Sequence, residues 1–415
     1  MHCPGCRADL GELDPHWASW CESCEWGVDP TPVEDWSSPI DRWWQRRLNA
    51  LSAREHARLL ANGLSDGPSV DHRLVLALAA AVHLVSALVA VGVVLVLIGP
   101  VWGGFKVVLA IIGAGLVYVL LPRPRREEEL GEPLSRQDAP ELWSLVDEAA
   151  RAVGTPSPDR IELVPWVKAA YGRVGWRRGR VLLLGYPLWA GLTRQGRVAL
   201  LGHELGHEAT GDLTRGLFVG GAVDALAEWR GLLRTPRLST DGSAQGFLVI
   251  VARLLVVLLS PVLLLLLTLE VALDSLSSRA HQYYEHTSDD LGADLAGKQG
   301  ALDVQQLLLG TDVLELATSV PLRSDPGADL WQAVEQHLAS VPERERTRQP
   351  LLARRTLQSV DDEHPPTYRR LELLTARADS PARLVLDATR DEAIKAELQA
   401  HEPRVRRQLL DASWS

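Results

Sequence analysis

Two long apolar segments dominate the hydrophobic pattern of the N-terminal third of the chain. Residues 74–98 contain one ionisable side chain, His83, and are long enough to cross about 30 Å of hydrocarbon as a helix. After a Gly-Pro break, residues 101–121 form a second apolar run with only Lys106 near its start. The pattern therefore predicts a transmembrane helical hairpin over residues 74–121.

After the hairpin the chain alternates short apolar and polar segments, and this pattern predicts a soluble region of mixed α and β structure. Residues 141–153 have the spacing of an amphipathic helix, and residues 160–164 and 180–184 are predicted to be short strands separated by Gly-rich turns. Apolar residues recur at intervals of three and four within residues 193–211, which predicts a further helix that Gly211 ends.

Composition and charge exclude several classes of protein. Of the 415 residues, 46% are hydrophobic and 23% are charged, which excludes a disordered or collagen-like chain. The formal net charge of −10 gives no chain-wide basic surface for phosphate groups, so nucleic acid is not an expected partner.

All the cysteines lie near the N-terminus as two Cys-x-x-Cys pairs, Cys3 with Cys6 and Cys21 with Cys24. Four thiolates at this spacing can close a tetrahedral site, which predicts a zinc ribbon with one structural zinc ion. Two disulfides are the alternative, and a reducing compartment disfavours them. We expect the ribbon to recruit a substrate or a protein partner.

Arginines flank the apolar hairpin on both sides, whereas its connecting turn carries no charge. The positive-inside rule then places both flanks in the cytoplasm, in agreement with reduced cysteines. The sequence therefore predicts a multi-pass cell-membrane protein whose ribbon and soluble region are cytoplasmic.

The helix predicted over residues 193–211 carries a His-Glu-x-x-His motif that starts at His203 and ends at His207. Side chains four residues apart share a helix face, so both imidazoles can bind one zinc ion. Glu204 is then the expected general base towards a water that the zinc makes acidic. Two imidazoles leave the site one protein ligand short, and Glu285 far downstream is the candidate.

His-Glu-x-x-His followed at a distance by Glu-x-x-x-Asp resembles the M48 metallopeptidases, the family of the HtpX-like and CAAX prenyl proteases. Gly211-Asp212, and His364-Pro365-Pro366 with Arg370 and Leu371 downstream, are similar to further motifs of that family in the same order. The resemblance covers about residues 140–375.

The resemblance implies a function for each motif residue. The implied ligands of a catalytic zinc ion are His203, His207 and Glu285. Glu204 is the implied catalytic base, and Asp289 is the implied carboxylate that orients a ligand histidine. It also implies that His364 and Arg370 lie near the cleft and stabilise an oxyanion. The fold it implies is a zincin-like α+β domain whose short sheet accepts substrate as an added strand.

Some interpretations stay open at this point. The motif histidines could be ordinary helix residues. The downstream acids could form a solvated helix face, with Asp290 and Asp294 as competing acids, and His364 could be a simple loop residue. Where the family usually has an Asn-Ala segment on its substrate-binding edge, this chain has Lys168-Ala169-Ala170-Tyr171, so an amide that would grip substrate is missing.

A third apolar run, residues 247–273, lies between the two parts of the expected zinc site. As one helix it crosses a bilayer once, yet the zinc ligands must share one side, so the number of crossings must be even. Either residues 214–234 form a second crossing, or the run turns back at Ser260-Pro261, or it is sheltered inside protein. The first arrangement buries charged side chains such as Arg230, although two spans at this point are usual for HtpX-like relatives.

The predicted fold class is a mainly α membrane protein with a transmembrane hairpin, an α+β metallopeptidase domain and a small zinc ribbon. The expected parts, in chain order, are the ribbon (1–30), a polar juxtamembrane linker (31–73), the hairpin (74–121), the M48-like domain including the membrane segment 247–273 (122–378), and a C-terminal helical extension (379–415). Within these parts we expect a linker at residues 122–133, a solvated insertion at 343–355 and an amphipathic surface helix at 391–410.

The predicted function is that of an integral membrane zinc endopeptidase, which hydrolyses peptide bonds of membrane or cytosolic proteins at the cytoplasmic face. Its expected partners are protein or peptide substrates and the lipid bilayer. The alternatives are a membrane scaffold with a vestigial protease domain and a CAAX-type processing protease. The complete ligand set favours an enzyme, whereas the missing Asn-Ala segment leaves the scaffold hypothesis as an alternative. Nothing in the chain indicates the prenyl-binding chamber that a CAAX-type protease needs.

Overall fold

The computed structural model describes residues 1–11, 17–28, 39–64, 72–99, 108, 111, 113–115, 131–174, 178–233, 246–325, 327–355 and 364–413. Most of the second arm of the predicted hairpin and most of the predicted linker before residue 131 lie outside these residues. The chain divides into two compact units, of which the first comprises residues 1–67, 125–212 and 282–415 and the second comprises residues 68–124 and 213–281.

The described residues are mostly helical, as predicted. The helices, in chain order, are α1 (Pro39–Asn62), α2 (His72–Ile98), α3 (Pro140–Val153), α4 (Tyr186–Gly191), α5 (Arg194–Ala209), α6 (Asp212–Leu233), α7 (Gly246–Ala296), α8 (Lys298–Leu308), α9 (Thr311–Ser324), α10 (Leu330–Ser340), α11 (Glu343–Arg355), α12 (Thr367–Ala376) and α13 (Ala388–Ser413).

One four-stranded sheet lies in the first unit, with the order β1-β2-β4-β3. Its strands are β1 (Glu132–Leu134), β2 (Arg160–Val164), β3 (Ala169–Val174) and β4 (Gly179–Gly185). The central strands β2 and β4 are parallel, and each edge strand is antiparallel to its neighbour. The central strands are rich in Ile, Val and Leu and largely buried, as expected for strands covered on both faces.

The sheet confirms the two predicted strands and corrects the segments around them. The stretch between them is not only Gly-rich turns, because it contains edge strand β3. Its Ala-Ala-Tyr-Gly-Arg-Val sequence has few β-branched residues, so its strand conformation depends on pairing with β4 rather than on propensity. The end of the predicted linker is also a strand, since Glu132 and Pro133 pair with β2 as part of β1.

Helix α5 is the predicted helix of residues 193–211, and it lies in the core of the first unit. Thr193 caps its N-terminus by accepting a hydrogen bond from the Gly196 amide at 3.0 Å. Gly211, with φ of 70°, follows its C-terminus in the left-handed conformation. The helix is buried along residues 196–207 because α3, α8 and β3 pack around it.

Helix α7 runs without interruption through Pro261, which contradicts a turn at Ser260-Pro261. Proline leaves the carbonyl four residues earlier without its helical donor, and the Ser260 hydroxyl donates to that carbonyl, Val257 O, at 2.7 Å. The described residues do not shelter the middle of the run either, because Val257 and Leu258 are each 70% exposed. Of the three arrangements, a partner crossing by residues 214–234 is the one that neither observation contradicts.

The second unit has an apolar centre to which α2, α6 and α7 all contribute. The shared cluster contains Val75, Ala79, Val82, Val219, Ala222, Leu226, Leu266 and Leu273. Polar contacts also join the helices, since Arg230 donates to the Glu270 carboxylate at 2.8 and 3.1 Å and His83 Nε2 lies 2.8 Å from Phe218 O. Two stretches, Arg73–Ile98 and Val257–Ala296, are long and apolar enough to span a membrane.

Two polar stretches of the first unit, residues 343–355 and 391–410, are both helical in the structure. Residues 343–355, expected to be a solvated insertion, form α11, in which Glu345 and Ala353 are buried and the other residues are exposed or half-buried. The carboxylate of Glu345 compensates its burial by binding Arg348 one turn later at 2.8 Å. The helix predicted at residues 391–410 is confirmed as part of α13, whose Leu398 is fully buried.

We predict that Arg230→Met lowers the free energy of unfolding by about 1–3 kcal/mol, because Glu270 is left without its partner. The double variant Arg230→Met/Glu270→Met should recover most of that loss. Denaturant unfolding of the purified protein in detergent measures both, and a single variant as stable as the parent would contradict the role given to this ion pair.

Candidate metal centre

The His-Glu-x-x-His motif places two imidazoles side by side on one face of α5. The Nε2 atoms of His203 and His207 are 3.2 Å apart, and the two rings are perpendicular with centroids separated by 4.8 Å. Each residue is only 7% exposed. The four-residue spacing therefore produces a pair of inward-facing nitrogen donors.

Glu285, near the C-terminal end of α7, completes a group of three. Its Oε1 lies 3.3 Å from His207 Nε2, and its Oε2 lies 3.7 Å from His203 Nε2. The residue is fully buried, so it does not belong to a solvated acidic helix face. One donor atom from each of these three residues lies within 4.8 Å of the others, close enough to hold a metal ion.

The separations of these donor atoms fit a zinc ion. Zinc bonded at about 2.0–2.1 Å in a tetrahedron holds any two ligand atoms about 3.3–3.4 Å apart. The two imidazole nitrogens are 3.2 Å apart, and the nearest carboxylate oxygen to each, Oε1 for His207 and Oε2 for His203, lies at 3.3 and 3.7 Å, close to that value. Two imidazoles and a carboxylate are also a donor set that zinc takes in peptidases.

Asp289, one turn after Glu285, fixes the orientation of His203. Its Oδ1 is 3.0 Å from His203 Nδ1, so Nδ1–H can donate to the carboxylate while Nε2 keeps its lone pair directed at His207 and Glu285. Arg370 holds this carboxylate with two hydrogen bonds of 2.8 and 2.6 Å, and Gln305 donates to it at 3.3 Å.

Arg370 is itself buried among carboxylates. Burial alone would lower the pKa of its guanidinium, but the negative charges of Asp289, Glu285 and Glu204 outweigh burial and raise that pKa above its usual value. Its Nη1 lies 3.8 Å from Glu285 Oε2. A permanent positive charge therefore lies beside the three donor atoms.

His364 lies at the open side of the group. It precedes α12 in a loop, its side chain is 48% exposed, and its Nδ1 is 2.9 Å from Glu285 Oε2. Glu204, next to His203 on α5, is 6% exposed. The structure thus brings together His203, His207, Glu285, Asp289, Arg370 and His364, and Glu204 is buried next to His203 in the chain.

A comparison with known families decides which proteins this chain resembles. Residues 136–378 match the family model described as Peptidase family M48. The chain belongs to this family. It is therefore a metallopeptidase, and the match covers more than half of the chain, including all the candidate residues from His203 to Arg370. None of the curated proteins compared with the chain matches it.

Glycines let α5 and α7, the two helices that carry the candidate ligands, approach one another. A Cβ added to Gly202 would lie 2.8 Å from the Gly292 Cα, and one added to Gly206 would lie 3.1 Å from the Ser288 Cα. Any larger side chain on these faces would separate α5 from α7 and so separate Glu285 from the imidazoles. The sequence analysis did not predict this contact. The signal for it is a pair of small residues four apart on each helix, Gly202 and Gly206 on α5 and Ser288 and Gly292 on α7.

The acids that could compete with Glu285 and Asp289 have a different partner. Arg377 donates from Nε to Asp290 at 2.6 Å and also binds Asp294. Arg377 directly follows α12, so these two acids of α7 bind the C-terminal end of α12. The solvated-face interpretation is therefore wrong for Glu285 and Asp289, which are buried.

A second cluster of possible metal ligands lies in the cysteine ribbon, the name used below for residues 1–11 and 17–28. The Sγ atoms of Cys3 and Cys24 are 3.6 Å apart, and those of Cys6 and Cys21 are 3.5 Å apart. Tetrahedral zinc–thiolate bonds of about 2.3 Å hold sulfur atoms about 3.8 Å apart, so the cluster fits a zinc ion. None of the four cysteines forms a disulfide in the structure, which does not support the two-disulfide alternative.

We predict that Gly202→Ala weakens zinc binding at the α5–α7 site at least tenfold and costs about 1–3 kcal/mol of unfolding free energy, because the new methyl group meets backbone of α7. Gly220→Ala is the matched control, since a Cβ there meets nothing within 4 Å and alanine favours helix. Competition with a chelator and denaturant unfolding measure the two effects. Equal behaviour of the two variants would contradict the packing argument.

Proposed function

We propose that this peptidase is a membrane-embedded zinc endopeptidase that cleaves proteins or peptides at the cytoplasmic face. In this proposal His203, His207 and Glu285 bind the catalytic zinc ion. The observation that carries it is the arrangement of their three buried donor atoms at zinc-ligand separations. Zinc, when bound, supplies a Lewis acid that polarises the peptide carbonyl and acidifies water.

The side chains around the ligands divide the remaining chemistry. Glu204 takes the proton from the attacking water and later delivers it to the leaving amine. Asp289 keeps His203 in the tautomer whose Nε2 is a donor to the metal, and Arg370 holds Asp289 in place. His364 is the most exposed of these residues and contacts Glu285, so it would be reached first by a substrate oxygen and would stabilise the charge that develops on it.

Edge strand β3 is the proposed substrate-binding strand. It is one of the two outer strands of the sheet and packs against α5, so a peptide could pair with its free edge beside the zinc ligands. Its residues Ala169, Ala170 and Gly172 are small and carry no side-chain amide. Recognition would therefore depend on backbone hydrogen bonds, which favours low sequence selectivity.

The membrane part of the proposal rests on the second unit. The exposed leucines and valines of α2 and α7 suit contact with lipid, and an even number of crossings keeps the zinc ligands on one side. We propose α6 as the partner crossing. Its charged Arg230 is paired with Glu270 of α7, and this pairing lowers the cost of placing either charge in a membrane.

The remaining sequence expectations extend the proposal. The ribbon would hold a structural zinc ion through Cys3, Cys6, Cys21 and Cys24. We also propose that the chain is organised in the five parts expected from its sequence. The scaffold alternative is favoured by one observation, the Ala169-Ala170 pair in place of Asn-Ala on β3. An activity measurement separates it from the endopeptidase.

We predict that Glu204→Gln lowers the hydrolysis of an unfolded protein substrate by at least about 10³-fold while two zinc ions per chain are retained, because it removes the base and leaves the ligands intact. His207→Ala should lose activity and one zinc ion, and Cys21→Ser should lose the other ion alone. Peptide release and metal analysis of the purified chain measure these outcomes. A wild-type chain that binds zinc at the site but hydrolyses nothing would support the scaffold instead.

We predict that a cysteine replacing Ser239, between α6 and α7, reacts with a membrane-impermeant thiol reagent only from the outside of the cell, because two crossings place that connection beyond the bilayer. Arg126→Cys, on the cytoplasmic flank, is the control that should react only after permeabilisation. Both are made with the ribbon cysteines replaced. Labelling of Ser239→Cys only from the cytoplasm would contradict the pair of crossings.

A further inference from the structure

The cysteine ribbon is attached to α11 of the same unit at both ends of that helix. Arg344, in the first turn of α11, donates from Nη1 to Leu10 O at 2.6 Å and from Nη2 to Trp20 O, and its guanidinium lies 5.8 Å from the Trp20 ring centroid. Arg355, the last residue of α11, binds Glu25 at 2.6 Å. Charged groups on the helix thus hold the ribbon, and these contacts use none of the cysteines.

The two carbonyls that receive Arg344 come from different halves of the ribbon. Leu10 follows the first cysteine pair, and Trp20 directly precedes the second pair. The apolar cluster that joins the halves is small, with Cys3, Leu10 and Cys21 as its buried members. Trp20 and Val28 are also buried, but a module of fewer than about 40 residues usually needs a metal ion or another cross-link in addition to so small an apolar core. The carbonyl pair that binds Arg344 therefore depends on a closed thiolate cluster.

Helix α11 is connected to the catalytic centre by a salt bridge and by the chain. Arg354 binds Glu372 of α12 at 2.6 Å, and α12 also carries Arg370, which holds Asp289. The chain that leaves α11 next enters the described part of the structure at His364, whose Nδ1 lies 2.9 Å from Glu285. A shift of α11 would therefore disturb both Arg370 and His364.

We propose that the ribbon is an internal docking module, whose metal-closed form binds α11 and so positions Arg370 and His364 at the zinc site. Arg344 is the positioning residue of this contact, and loss of the ribbon metal releases α11. The inference rests on the proposed function for its effect on turnover, but the docking itself does not require hydrolysis. Since Arg344 occupies the two ribbon carbonyls, an external protein partner would have to displace it.

The test compares three variants of the full chain in detergent: Arg344→Ala, Arg344→Lys and, as a matched control, Arg346→Ala. Arg346 is two residues along α11 and donates to Leu338 O at 3.1 Å rather than to the ribbon. Hydrogen exchange of peptides from the ribbon, α11 and α12 is followed by mass spectrometry, together with zinc content, kcat and KM.

For Arg344→Ala we expect two zinc ions per chain, amide exchange about tenfold faster in the ribbon, α11 and α12, and a several-fold lower kcat at nearly constant KM. Arg344→Lys should recover part of the protection and of kcat, because an ammonium group can reach one of the two carbonyls. Arg346→Ala should match the parent. Adding Cys21→Ser to Arg344→Ala should accelerate exchange in α12 by less than the sum of the two single effects, because both changes break the Arg344 contact and only the remaining Arg355–Glu25 contact is lost in addition.

Two results would overturn the inference: exchange in Arg344→Ala equal to that in Arg346→Ala, or faster exchange confined to the ribbon with kcat unchanged. Failure of the proposed function looks different. A parent chain that hydrolyses nothing, yet shows the exchange changes in ribbon, α11 and α12, would reject the endopeptidase and leave the docking contact in place.

Discussion

The close approach of α5 and α7 is the constraint on which the rest of the peptidase depends. A carboxylate can join two imidazoles around one ion only if its helix comes within a few ångströms of theirs. Gly202 and Gly206 on one helix, facing Gly292 and Ser288 on the other, remove the side chains that would prevent this approach. Burial then makes the donor group effective, because a metal ion is the natural counterion for a carboxylate that is fully shielded from water.

Around that contact, a series of side chains holds one another and the candidate ligands in place. Asp289 orients one imidazole, Arg370 orients Asp289, and α12 carries Arg370. The ribbon holds α11 against this assembly through Arg344. Each support acts through a charged hydrogen bond in a buried or half-buried place, where such bonds are directional and costly to break. Residues far along the chain from His203 and His207 therefore control the geometry of the candidate ligands.

The sequence predicted the parts of this structure that depend on local pattern. The helix of His203 follows from apolar spacing, a threonine cap and a terminal glycine, and the strand at residues 160–164 follows from a short apolar run bounded by turns. What it could not predict depends on distant partners. Strand β3 exists because β4 pairs with it, and the Arg/Glu-rich α11 looked solvated because its contacts come from Leu10, Trp20 and Glu372. Helix α7 continues through Pro261, where the Ser260 hydroxyl donates to Val257 O, and hydrophobic periodicity does not reveal such a contact.

The most direct test of the account is a zinc-edge anomalous difference map from crystals of the full chain. The account predicts a peak about 2.0–2.2 Å from the Nε2 atoms of His203 and His207 and from the Glu285 carboxylate. A second peak should lie among the four cysteine sulfur atoms. Density at the cysteines alone, or a Glu285 side chain turned away from a metal held by the imidazoles, would contradict the central claim.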